Sequence, residues 1–84
     1  MCRSIKTLRG AEPPPTDGEV AAAALQYVRK VSGYRAPSRK NAEAFERAVA
    51  EIAAVSERLL VELDSPPVPG PDLRRPSPAR APAR

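Results

Sequence analysis

Residues 28–41, Val-Arg-Lys-Val-Ser-Gly-Tyr-Arg-Ala-Pro-Ser-Arg-Lys-Asn, contain a helix stop, a turn and a helix start in succession. Gly33 suits the left-handed residue that ends a helix, Pro37 cannot continue one, and Ser38 is a residue type that begins the next. Segments of helical periodicity lie on both sides. The chain is thereby directed to an all-α, two-helix hairpin, with helix 1 at about 17–32 and helix 2 at about 39–63.

The start of helix 1 is written in Thr16-Asp-Gly-Glu19, where hydroxyl and carboxylate stand three residues apart and can each satisfy an unpaired backbone donor. Val20, Ala24, Tyr27, Val28 and Val31 then share one face, with Ala22, Gln26 and Arg29 turned away. This spacing assigns Tyr27 to the core. The run Ala21–Ala24 favours helix and leaves room for close approach of another helix.

Helix 2 starts at Ser38, with Asn41 as a rival cap. Its apolar stripe of Phe45, Ala48, Val49, Ile52, Val55, Leu59, Leu60 and Leu63 runs for about seven turns. The other face is charged, with Glu43–Arg47, Arg47–Glu51 and Arg58–Glu62 at four-residue spacing. Because helix 2 outruns helix 1, the stripe near Leu59–Leu63 needs a further cover, supplied by the amino-terminal arm or a second subunit.

The arm, residues 1–15, carries Ile5 and Leu8 for docking and Arg3, Lys6 and Arg9 for water, and Pro13–Pro15 end any regular structure there. Beyond Leu63, seven of the 11 prolines fall between Pro66 and Pro82 among Arg, Ala and Ser. No core can form from that composition, so 64–84 reads as a disordered tail outside the domain 1–63.

An 84-residue chain with one cysteine buries a small core and has no intramolecular disulfide to support it, so self-association is expected. The lone thiol suits a reducing, cytoplasmic setting. No apolar run reaches the length of a membrane span, and a membrane partner is not expected.

The net charge is +4, but no acidic residue lies between Val20 and Ala42, where Arg29, Lys30, Arg35, Arg39 and Lys40 cluster. These five are the candidate anion-binding set, extended by Arg3, Lys6 and Arg9. Basic residues in the first turn of a helix, where the dipole end is already positive, point to a compensating phosphate or carboxylate. The bland alternative is a solvated loop. Tyr34 either plugs the hairpin or stacks on a ligand. A nucleic acid bound there would be held by its phosphates, with little base reading.

Cys2 is a candidate thiol site: removal of Met1 would place amine and thiol on one residue, beside Arg3. With no histidine in the chain, neither a Cys-His nucleophile pair nor a Cys/His zinc set can be assembled within it. No catalytic residues, metal or cofactor are expected.

The opening Met-Cys-Arg-Ser-Ile-Lys-Thr-Leu, the block Ala22-Ala-Ala-Leu-Gln-Tyr-Val-Arg-Lys-Val-Ser-Gly33, Pro37-Ser38, Asn41, and the pattern Ala44-Phe45, Ala48-Val49, Glu51-Ile52-Ala53 together resemble the small bacterial family known as domain of unknown function 2277. The likeness spans residues 1–63 and places the proline-arginine tail outside it. It carries no activity, ligand or catalytic residue. The leading expectation is a non-enzymatic, self-associating interaction module. Anion or nucleic-acid binding at the junction comes second, and a redox or metal role for Cys2 third.

Overall fold

The computed structural model describes residues 5–73, and its two helices pack as the expected hairpin. Helix α1 spans Asp17–Ser32, a single 3-10 turn spans Arg39–Asn41, and α2 spans Ala42–Glu62. The capping box forms as the spacing requires. Thr16 N–H donates to Glu19 Oε1 at 2.9 Å, and Glu19 N–H donates to Thr16 Oγ1 at 3.0 Å. At the other end Gly33 adopts φ 79°, and its N–H donates to the Arg29 carbonyl at 2.8 Å. Only glycine takes that conformation at little cost.

The core is small and lies between the helices. Ala24 and Val28 of α1 pack with Phe45 and Val49 of α2, flanked by Leu25, Ala48, Ile52 and Ala53. Val20 and Leu60 are also buried. No buried side-chain polar atom among the described residues lacks a partner. The expected stripe of α2 is therefore only partly covered: Phe45, Val49 and Leu60 are buried, while Val55, Leu59 and Leu63 remain about half exposed. The evenly spaced charges of α2, Glu43, Arg47, Glu51, Arg58 and Glu62, all lie in water.

Helix α2 begins later than expected. Ser38 and Asn41 precede the 3-10 turn and α2 respectively, yet neither side chain makes a capping hydrogen bond. Beyond its cap, Leu63, the helix is stopped by Asp64, which takes a left-handed φ of 62°. Asp64 N–H donates to the Val61 carbonyl, and Ser65 N–H to that of Leu60. This pair of bonds satisfies the last carbonyls in the usual helix-end manner, with aspartate where glycine is commoner.

The proline-rich segment starts by folding back, so the packed unit extends past the boundary expected at 63. Val68 forms an isolated parallel bridge with Thr16, donating to the Pro15 carbonyl and accepting from Asp17 N–H, both at 2.8 Å. Gly70 N–H donates to Asp17 Oδ1 at 3.0 Å. Asp17 N–H is one of the amides that a helix start leaves unpaired, so this strap continues the capping of α1. Prolines at 66, 67, 69 and 71 hold their own backbones near one φ, which lowers the entropy lost in fixing an extended strand. A composition unable to form a core can still cap one by its backbone. The remainder of the expected tail lies outside the described residues.

The arm docks beside the strap. Ile5 and Leu8 are half-buried and line a shared depression with Ala22, Ala23 and Leu73, on the side of α1 turned away from α2. Gly10 N–H donates to Ser65 Oγ at 3.0 Å. Lys6 does not simply face water: its ammonium pairs with Glu19 at 2.8 Å.

Two outcomes are expected. A Cβ on Gly18 would run into the backbone carbonyl of Pro71, so Gly18→Ala should lower stability in urea unfolding by about 1–3 kcal/mol. This loss should appear even though alanine is the better helix former by about 1 kcal/mol; a more stable variant would show that the strap does not pack there. The Glu19 carboxyl is held below its ordinary value of 4.5, first by Lys6 and then by the Thr16 amide. Its folded pKa being the lower one, its contribution is complete above the ordinary glutamate range and is lost as pH falls through the folded value. Acid unfolding followed by circular dichroism should therefore lose part of its steepness in Glu19→Gln.

Candidate interaction groove and basic junction

Next to the inter-helix loop an apolar groove of about 330 Å³ lies between the two helices. Tyr27, Val28 and Val31 form its α1 wall, Ala44, Phe45, Ala48 and Ile52 its α2 wall, and Tyr34 with Asn41 close one end. All three aromatic residues of the chain therefore line it. Tyr27 is 52% exposed and Val31 69%, which corrects the placement of Tyr27 in the core. It lies about 100° around α1 from Val28 at ordinary helix geometry, so it marks the edge of the buried stripe. The groove is its setting.

Small residues explain the opening. Ala44 and Ala48 on the α2 wall offer little bulk to meet Tyr27 and Val31, so apolar surface on both sides stays in contact with water. On α2 the same edge continues beyond Ile52 to Val55 and Leu59, one and two turns on, each 53% exposed. Groove and edge form a continuous apolar face along the hairpin.

The loop at the closed end is held by polar contacts. Arg29 Nε–H donates to the Arg35 carbonyl at 2.9 Å, Tyr34 N–H donates to Ser32 Oγ at 3.1 Å, and Asn41 Nδ2–H donates to the Tyr34 hydroxyl at 3.3 Å. Tyr34 thus stands at the groove mouth, 42% exposed and tied to the last residue of the 3-10 turn.

The five junction cations are brought to one end of the molecule, but in unequal roles. Arg29 braces the loop, whereas Lys30, Arg35, Arg39 and Lys40 expose their side chains to water. Arg39 and Lys40 sit in the 3-10 turn before α2, and the first turn of α2 carries Glu43. Lys6 and Arg9 are not part of this cluster: Lys6 is engaged with Glu19 at the start of α1, and Arg9 adjoins Gly10 beside Ser65. Cys2 and Arg3 lie outside the described residues. Among the described residues no group of three His, Cys, Asp or Glu side chains is placed to hold a metal, and no helix is long and apolar enough to cross a membrane.

The groove carries no signal in stripe counting, because its walls are the edges of two stripes that each look fully apolar. The signal for it is a different one, the pairing of bulky residues on α1 with alanines at matching turns of α2.

No curated protein and no solved structure matches the chain. A family model described as uncharacterized conserved protein, DUF2277, matches residues 1–81. That match takes in nearly all of the proline-rich segment, which the resemblance over 1–63 leaves out, and it agrees with a strap that is part of the packed unit. By this match the chain belongs to the DUF2277 family of uncharacterized conserved proteins.

Proposed function

We propose that this chain is a non-enzymatic, cytoplasmic interaction module that self-associates through the apolar face formed by Tyr27, Val31, Ala48, Ile52, Val55 and Leu59. The observation that carries the reading is the continuity of that face: groove and edge join along the hairpin, and four of its side chains are half exposed or more. Two helices can shield only the surfaces they turn toward each other, and a core this small gains from a second layer. Covering a half-exposed Val or Leu contributes on the order of 1 kcal/mol. Several per copy are needed before association outweighs the loss of freedom of two molecules.

Leu59→Glu should shift sedimentation equilibrium toward monomer by at least about tenfold in Kd, because a charge is then carried into an apolar contact. Its circular dichroism should stay that of the wild type, since Leu59 is half exposed and away from the central cluster. Wild-type protein sedimenting as a monomer up to high concentration would remove the proposal.

A second reading is supported by two exposed tyrosines beside exposed cations. Single-stranded nucleic acids are held by aromatic stacking together with a positive surface. Tyr27 and Tyr34 would supply the rings, and Arg35, Arg39 and Lys40 the phosphate contacts. Replacing those three cations by Ala should weaken binding to a short single-stranded oligonucleotide and reduce the slope of log affinity on log salt by about two to three. Unchanged binding by the triple variant would dismiss the junction.

A further inference from the structure

Among the described residues, the inter-helix loop and the far part of α2 carry opposite charges. The loop end carries Arg29, Lys30, Arg35, Arg39 and Lys40 with no acidic residue between Val20 and Ala42. The far part of α2 and its cap, residues 51–64, carry Glu51, Glu57, Glu62 and Asp64 against the single basic Arg58. Glu51 stands midway along α2, whose 21 residues span about 30 Å at 1.5 Å per residue, and Glu57, Glu62 and Asp64 are separated from the basic cluster by most of that length. The screening length at physiological salt is about 8 Å. They therefore hardly attract one another inside one molecule.

The last turn of α2 also has no basic residue of its own, so the helix does not itself supply the cation that is favoured at the negative end of its dipole. The apolar face runs between these clusters along the helices, from Tyr27 and Ala44 near the loop to Leu59 near the acidic end.

We infer that the occupant of the apolar face is a second copy of this chain laid antiparallel across it, so that the basic loop of each copy meets the acidic end of α2 in the other. The inference rests on the self-association proposed above and gives it an orientation. A two-fold axis crossing the middle of the face makes the contact self-complementary, with both charge contacts formed at once. The parallel arrangement sets cations against cations and carboxylates against carboxylates, and is disfavoured at both ends. The antiparallel copy also brings Arg39 and Lys40 of one molecule to the carbonyl end of α2 in the other.

The test is sedimentation equilibrium of the full chain at low and at high sodium chloride, with two charge-reversed variants. Lys40 and Glu62 are both exposed, so Lys40→Glu and Glu62→Lys should fold as the wild type does. The wild-type dimer should weaken as salt is raised. Each variant alone should associate about threefold to tenfold more weakly, and an equimolar mixture of the two should return to wild-type affinity. A dimer that is indifferent to salt or strengthened by it, with reversals that neither weaken nor rescue, would overturn the antiparallel orientation while leaving self-association standing. A chain that remains monomeric at both salt concentrations would overturn self-association and the orientation together.

Discussion

The packing of Ala24 and Val28 against Phe45 and Val49 is the contact on which the rest of the molecule depends. It joins the two helices through their buried side chains and fixes which faces of α1 and α2 are turned inward. Two cylinders touch along a line, so one such contact leaves the edges of both stripes uncovered. Tyr27 and Val31 on one helix, and Val55 and Leu59 on the other, are the residues that this geometry leaves in water. The exposed apolar face is thus a direct consequence of building a core from two helices.

The ends of the hairpin solve the problem of loose backbone groups in different ways. At the start of α1, arm and strap converge: Glu19 and Thr16 cap each other, Val68 and Gly70 bind around Asp17, and Lys6 adds its charge to Glu19. Gly18 and Gly70 permit this convergence, since a side chain at either would meet Pro71 or Thr16. The loop end is less covered. Three hydrogen bonds around Arg29, Tyr34 and Asn41 shape the turn and leave the cations and the groove open. The end at the start of α1 secures the fold, and the loop end offers surface.

Features that depend on neighbours along the chain are legible in the sequence. The Thr16–Glu19 box and the left-handed Gly33 are local devices, and both helices follow from them with Pro37 between. Features that depend on distant parts of the chain are not legible in the same way. The strap is joined to Pro15 and Asp17 by backbone bonds from Val68, and to the Asp17 carboxylate by the Gly70 amide, across some fifty residues, and such bonding leaves no apolar pattern to read. A glycine in the first turn of α1 is the available signal, because a good helix former there would be preferred unless something passes close by. The placement of Tyr27 fails for a related reason: periodicity assigns a residue to a stripe but not to its centre or edge, and only the alanines opposite decide that. The basic cluster is legible as composition, whereas the bracing role of Arg29 and the 3-10 setting of Arg39 and Lys40 come from the loop geometry.

The face between Tyr27 and Leu59 is the proposed interface. Its most direct test is a dilution series of nuclear magnetic resonance spectra, with shift changes mapped onto the sequence. Changes confined to Tyr27, Val31, Ala48, Ile52, Val55, Leu59 and the charged residues at the two ends, with Thr16, Val20 and Val68 unmoved, are the expected result. Spectra independent of concentration, or changes centred on the arm and strap, would contradict it.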